Sequence, residues 1–494
     1  MSAYSGISIE IQSIKQDTPG HGNYRNQLSL LKQENLWKGG DMNSRKKASS
    51  TRREEIEKLF KKYPEVPREV VIQNDAQRLG IAYTETALKA AEGVTPTKRP
   101  YLFLRAMVTP EQMKPGEFFR VPDSIWITRG MYGLRGRSGI RSTQNPDSPY
   151  IVDVIDCKLM FCERENGMHV PIADVEYPVI PKWYAKKFPD GTLYGEVNYT
   201  SGFLVCQRWN SRNEQCKFCD INNNFKRRKK IQGKKAKAVA DKETIATVIE
   251  AQVFSERLPG ESLTYHHNIL ISGGTILTKL NGLPEDEFYL QYVEAVREKI
   301  GRRWPISLAT APKPKAIAKK MADRGVTARE LNIEVWDQRL FEIICPGKAR
   351  QVGWKEWVRL MIEEVDIFGE GNVSPAFVKG VEMCQPYGFT TVEEAVKSTT
   401  GGYEYLMSHG VIPRPVTWYV EPGSGLGGNK PPPLELLVRL DLAWYETWKK
   451  YELPPIRRFD IMGPGRDTDS GHSFAAMGEP CYYNKIGYLQ TPAG

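Results

Sequence analysis

The sequence is poor in cysteine, has no long apolar run and shows no short-period repeat. Eight cysteines in 494 residues are too few for a disulfide framework, so the thiols are expected to be reduced, in a cytoplasmic setting. No stretch approaches the roughly 20 apolar residues of a membrane span. The first residues, MSAYSGISIEIQSIKQ, lack a basic head followed by an apolar run, so no secretory signal is expected. These absences exclude a channel, a small secreted disulfide scaffold and a collagen-like fibre. What is present suits a globular chain: 40% hydrophobic and 26% charged residues, enough for a substantial core.

The net charge of +10 is concentrated. The segment KRRKKIQGKKAK, 226–237, carries eight basic residues and no acid, and a second cluster spans Arg45 to Arg53. Such runs contact phosphate or nucleic acid, or form solvated loops. Gly233 and its polar neighbours favour the flexible linker, and nucleic acid is not the favoured partner.

Along the chain, residues 1–50 are polar and read as an arm. Residues 51–190 read as a mixed α+β accessory domain. It comprises a helix over Arg53–Tyr63 capped by Thr51, a second helix over Asp75–Glu92, and strands in YLFLRAMV, SIWITRG, YIVDVID and LMFCER. Residues 191–452 alternate strand and helix. Strands are expected at Glu196–Val205, Asn268–Ser272, Ile306–Thr310, Glu330–Val335, Val373–Glu382 and Arg414–Val420. Helices are expected at Asp241–Glu256, Pro284–Lys299, Pro314–Arg324, Trp354–Ile367, Thr391–Ser408 and Leu434–Tyr451. Six repeats imply a parallel sheet with right-handed crossovers. The expected class is α/β: an incomplete (β/α)6 TIM-like barrel with an N-terminal accessory domain and a C-terminal extension over 453–494.

Three of the eight cysteines, Cys206, Cys216 and Cys219, fall within fourteen residues, spaced C-x9-C-x2-C, just after the first strand of the series. Ligands in parallel α/β folds bind at the carboxyl ends of strands. Thiolates converging there suit a soft metal or an iron–sulfur cluster. A structural zinc site has four closed ligands, whereas three leave one metal position open for chemistry.

At these residues the sequence resembles the radical S-adenosylmethionine (SAM) superfamily, whose usual motif is C-x3-C-x2-C in the same loop; the nine-residue first gap makes this one a variant. The resemblance implies a 4Fe-4S cluster on Cys206, Cys216 and Cys219, with Phe218 against the SAM adenine. It implies that Ser272-Gly273-Gly274-Thr275 receives the SAM amino group, with Thr275 where the family has Glu. Thr310 ends strand three, and Glu334 and Arg339, at strand four, are the implied contacts to ribose or carboxylate. CPGKARQVGW (345–354) and GNVSPAFVKGVE (371–382) resemble the biotin synthase-like branch, the latter placing Val378 to Glu382 on strand five near the adenine. Val420–Gly425 closes strand six with a Gly-rich turn.

The implied reaction is reductive cleavage of SAM. The 5′-deoxyadenosyl radical then abstracts hydrogen from a substrate the sequence does not identify, in an oxygen-sensitive enzyme served by an electron donor such as flavodoxin or ferredoxin. No D-x-H-x-x-G cobalamin signature is present; methylation by another route, sulfur insertion and rearrangement stay open. No catalytic side chain is assigned. Two alternatives remain: a zinc-stabilised RNA-binding protein, against which stands the lack of an RNP-like aromatic motif, and a non-catalytic SAM-binding scaffold. The other cysteines, Cys157, Cys162, Cys345, Cys384 and Cys481, fit no auxiliary-cluster spacing; Cys157 and Cys162 read as strand residues. His266 and His267 read as structural, and His472 as part of a polar segment that could fold over the barrel mouth.

Overall fold

The structure, a computed structural model, describes residues 42–91, 111, 121–122, 124–134, 138–177, 199–211, 213–255, 269–453, 473 and 477. The arm before residue 42, the expected strand at 101–108, the 190/191 boundary, His266, His267, His472, Cys481 and nearly all of the tail beyond 453 lie outside the described residues. The described residues from 49 onward fall in one compact unit.

Helix α1 spans Met42–Lys62, so Thr51 sits inside it and is not its cap. Helix α2 (Arg68–Leu79) ends at Gly80, whose φ of 75° favours glycine. A short strand β1 (Ala82–Tyr83) and helix α3 (Glu85–Ala91) follow, so the single helix expected over 75–92 is broken in two. Strands β2 (Ser124–Gly130), β3 (Ser138–Arg141), β4 (Tyr150–Ile155), β5 (Lys158–Glu165) and β6 (Met168–Glu176) complete a mixed sheet in the order β1-β4-β5-β6-β2-β3. Only β1 and β4 pair in parallel. Cys162 lies in β5 as expected, whereas Cys157 sits exposed in the β4–β5 turn with φ 61°.

The chain then alternates. Strand β7 (Tyr199–Phe203) leads to helix α4 (Ile221–Gln232) and helix α5 (Lys242–Ser255). Strand β8 (Ile269–Gly273) is followed by α6 (Glu285–Ile300), β9 (Ile306–Ala309) by α7 (Lys315–Asp323), and β10 (Ala328–Glu330) by α8 (Gln338–Ile344), α9 (Pro346–Gln351) and α10 (Trp354–Phe368). Strand β11 (Ala376–Lys379) precedes α11 (Val392–Met407), and β12 (Arg414–Thr417) precedes α12 (Leu434–Lys450). Strands β7, β8, β9 and β10 are parallel neighbours in chain order, as are β11 and β12. Parallel bridges Arg329–Val373 and Glu334–Phe377 join the two sets. The result is an incomplete (β/α)6 barrel.

Its strands carry the signature of a sheet covered on both faces: Ile269, Leu270, Ile271, Ile306 and Leu308 are all buried. Helix ends obey local chemistry. Acids Glu285, Asp286 and Glu287 open α6, which ends at Gly301 with φ 60°. Thr391 and Glu394 form a capping box on α11. Phe288, Tyr289 and Tyr292 of α6 are fully buried near Phe203, each stabilising by roughly 2–3 kcal/mol.

Two strand expectations shift. The strand expected over 330–335 ends at Glu330, and the chain rejoins the ladder only at the isolated Glu334–Phe377 bridge, where Glu334 takes φ 72°. The strand expected over 373–382 ends at Lys379, and Val381–Met383 forms a 3-10 turn that includes Glu382. The basic run is also not a linker. Lys226 to Gln232 lie in α4, and only the residues from Gly233 break the helix.

Leu434 and Val438 of α12 share a core with the first sheet. Buried beside them, Lys379 Nζ donates to Asp441 Oδ1 at 2.6 Å, Asn74 Oδ1 at 2.8 Å and Ser473 Oγ at 2.7 Å. Asn74 Nδ2 donates to Asp441 Oδ2 at 2.7 Å. This hub ties α2, β11, α12 and the C-terminal segment together, with each buried polar atom partnered as burial demands.

Candidate active site

A cavity of about 310 Å³ opens at the carboxyl ends of the barrel strands. It is lined by Ser272 and Gly273 from β8, Ala309 and Thr310 after β9, Glu330 from β10, Val378 from β11, and Val416 and Thr417 from β12. Cys206, Cys216 and Cys219 all face it from the loop after β7, together with Phe218, Gly274, Thr275 and Glu334. Every cluster and cofactor residue expected from sequence is therefore gathered there except Arg339. That side chain is 55% exposed and donates to the Tyr387 carbonyl at 2.9 Å, because α8 turns it outward.

The cysteine loop is braced on all sides. Gln207–Asn210 form a 3-10 turn that takes up the long gap between the first two cysteines. Within it Arg208 is buried and pairs with Glu214 at 3.2 Å and with Gln351. Arg350 holds Glu214 at 2.6 Å from the outside. Asn222 Oδ1 accepts from the Cys206 N–H at 2.7 Å, anchoring the first cysteine to the start of α4. Lys217 N–H donates to the Ile344 carbonyl at 2.8 Å, and the Leu426 N–H donates to the Lys217 carbonyl at 3.0 Å.

The two glycines are steric necessities of this loop. A Cβ on Gly274 would strike the Val205 carbonyl and lie 2.6 Å from the Cys206 Cα. One on Gly273 would meet the Tyr289 hydroxyl and lie 2.7 Å from the Phe203 carbonyl. Strand β8 thus closes against the cysteine loop as well as facing the cavity. The Tyr289 hydroxyl donates to the Gly274 carbonyl at 2.7 Å, and the Gln207 N–H to the Thr275 carbonyl at 3.0 Å. The Thr310 hydroxyl accepts from the buried Arg329 guanidinium at 3.1 Å, so it is held as part of the barrel floor.

Electrostatics differ among the three thiols. Burial pushes the Cys219 thiol well up and the Cys206 thiol up. The Cys216 thiol is held below the usual range by a hydrogen bond from Cys345, and the nearby Lys348 charge acts in the same direction. Burial raises Cys345 itself. All seven described cysteines are free thiols.

Sequence reasoning missed Lys348. Its Nζ donates to Glu334 Oε1 at 2.5 Å and to the Asn332 carbonyl at 2.7 Å, and stands 5.1 Å from the Trp357 ring centre. Burial opposes its charge, yet Glu334 raises its pKa. The only signal was its place in CPGKARQ, two residues after a Pro that opens α9. Asp220, Asn224, Glu285 and Glu421, also missed, line the same cavity. Asp220 Oδ2 accepts from the fully buried Arg227 at 2.6 Å, which takes one member of the basic run out of solvent.

No family model matches the chain. Over 138 residues it is 27% identical to a bacteriochlorophyllide c C-7(1)-hydroxylase of Chlorobaculum limnaeum, covering 28% of this chain and only 30% of that protein. Among solved structures it is similar to HydG, a maturase of the [FeFe]-hydrogenase, at 10% identity and TM-score 0.33, covering 50% of this chain and 48% of that one. It is similar to coproporphyrinogen III oxidase (HemN) from Escherichia coli, described as a radical SAM enzyme, at 12% identity and TM-score 0.31, with 48% and 50% covered. It is similar to methylornithine synthase (PylB) at 13% identity and TM-score 0.34, with 60% and 77% covered. At these TM-scores the barrel rests on its own strand order. In its three-cysteine loop and the glycine pair that closes on it, the chain resembles the radical S-adenosylmethionine superfamily.

Proposed function

We propose that the chain is a radical SAM enzyme acting on a C–H bond. The observation that carries this reading is the convergence of Cys206, Cys216 and Cys219 on one strand-end cavity with the Gly273–Gly274 turn. The donor set fits a cluster. Three thiols reach the cavity from one loop, one short of the four ligands of a closed structural zinc site. A cluster instead takes each thiolate on a different iron.

When bound, the cluster and SAM supply one-electron cleavage of the sulfonium C–S bond and the hydrogen-abstracting group. The chain's own residues do the rest. Cys206, Cys216 and Cys219 hold the cluster in a loop fixed by Arg208, Asn222 and the α9 start. Phe218, Ser272, Gly273, Gly274, Thr275, Thr310 and Glu334 line the SAM side. Lys348 adds a cation opposite Glu334, suited to a carboxylate. The barrel strands and the cysteine loop wall the cavity around a reactive species.

The partial match to a protein named as a hydroxylase supports functionalisation at carbon; its substrate is not carried over. The test is anaerobic reconstitution with iron and sulfide. Near four irons per chain, with the brown absorbance of a thiolate-bound cluster and SAM binding, supports the reading. Zinc retained through purification, with no iron uptake, would replace it by the zinc-site alternative.

A further inference from the structure

Two polar side chains in the cavity wall have no role in the reading above: Glu330, the last residue of β10, and Trp418, which follows β12. Both are buried, at 2% and 4% exposure. The parallel bridges Arg329–Val373 and Glu334–Phe377 set the depth of Glu330. Glu334, on the SAM side, stands level with Phe377 of β11, and Glu330 lies four residues earlier, deeper in the lumen. Its partner across the ladder is Ala309, and Ala309, Val378 and Val416 give the cavity small or apolar walls.

Strand β12 fixes both groups. Its first residue, Arg414, donates to Glu330 Oε2 at 2.6 Å. Just past its last residue, the Trp418 N–H donates to the Lys379 carbonyl at 2.9 Å, which pins the indole to the end of β11. The Trp418 indole Nε1 is buried with no hydrogen-bond partner among the described residues. A buried indole N–H ordinarily finds one. The other deeply buried indole of this cavity does: Trp357 Nε1 donates to the Leu331 carbonyl at 2.9 Å.

Resting on the radical-enzyme reading above, we infer that Glu330 and Trp418 form the substrate-recognition end of the cavity and take an uncharged amide-like group, its N–H on the Glu330 carboxylate and its carbonyl oxygen on the Trp418 indole N–H. Arg414 already balances the charge of Glu330, so a neutral donor fits there and a buried third charge does not. A carboxylate is the stronger kind of acceptor for such a donor. A wall with one placed acceptor and one orphan donor rejects analogues that lack either partner, because each mismatch leaves a buried polar group unpaired. The two residues set specificity; the cluster and SAM supply the chemistry.

The probe is 2-pyrrolidinone, a small lactam with one N–H and one carbonyl, titrated into full-length protein and followed by ligand-observed NMR. Its N-methyl derivative keeps the carbonyl and lacks the N–H. Wild-type protein should bind the lactam about fivefold more tightly than the N-methyl derivative. Glu330→Gln should remove that preference, because Arg414 draws the new amide oxygen and its NH2 then stands where an acceptor stood. Trp418→Phe should weaken both probes about fivefold and leave the preference between them intact. No lactam binding, equal affinity for the two probes in wild-type protein, or a Trp418→Phe variant that binds both as wild type does, would each overturn the inference. So would displacement of the lactam by saturating SAM on reconstituted protein, which puts the two groups on the SAM side. Lactam recognition with this pattern in a chain that takes up no iron would support the subsite and overturn the cluster reading alone.

Discussion

Glu334 and Lys348 form an ion pair at 2.5 Å on the wall of the candidate site, with Glu334 held in the left-handed region at φ 72°. A glutamate seldom occupies that region, and the strain is tolerated only where surroundings over-determine it. Here the Glu334 N–H donates to the Ala376 carbonyl at 2.9 Å, and the Val378 N–H donates to the Glu334 carbonyl at 2.7 Å. Strand β11 therefore fixes the backbone while Lys348 fixes the carboxylate.

Lys348→Met should leave that carboxylate without its cation. Both side chains are 12% exposed, so the loss should cost about 3 kcal/mol of stability. SAM affinity should also fall at least tenfold. Calorimetry and a thermal melt read the two effects separately.

Gly274→Ala should damage the cysteine loop itself, since the new Cβ would lie 2.6 Å from the Cys206 Cα. Iron content and SAM binding should fall together. A glycine used only to admit the SAM backbone would lose binding and keep iron. Gly428→Ala, with open space around its Cβ, should change neither.

The basic run separates into unlike residues. Arg227 is fully buried against Asp220, so Arg227→Ala should cost about 3–5 kcal/mol by stranding the acid. Exposed Lys229→Ala should stay within about 0.5 kcal/mol. Urea unfolding measures both. A salt-dependence test of the run must therefore keep Arg227 and neutralise its exposed neighbours.

Glu382 makes a pH prediction. Complete burial raises its carboxyl to about 7 from an ordinary 4.5, with donors from the Gly380 N–H at 2.6 Å and the Thr399 hydroxyl at 3.0 Å only partly offsetting it. The folded chain then holds this proton over a range where the unfolded chain has lost it. Stability should fall as pH rises from about 4.5 to 7, by roughly 3 kcal/mol in total, and level off above. Denaturant midpoints across that range should show the slope, and Glu382→Gln should flatten it.

The barrel was legible because its strands and helices carry period and punctuation. The α6 start was read at Pro284 and the α12 start at Leu434, and the structure begins those helices at Glu285 and Leu434. The α4 helix was hidden because its buried positions include Asn223, Asn224 and Arg227, which form no apolar stripe. Gly80 broke a pattern whose Ala and Leu content alone favoured one long helix. At the site, the three cysteines and the glycine pair were readable as local spacing. Lys348 was not, because its place at the cavity comes from α8 and α9 folding back onto a loop more than a hundred residues earlier. Arg339 was misplaced because one helical step turns a side chain from the cavity to solvent.

The most direct measurement is anaerobic incubation of reconstituted protein with SAM and a low-potential reductant, followed by quantification of 5′-deoxyadenosine. Wild-type protein should release it, and Cys206→Ala, Cys216→Ala and Cys219→Ala should each release none while losing iron. Product formation that persists in any one of these variants, or a wild-type chain with a full cluster and bound SAM that yields none, would contradict the account.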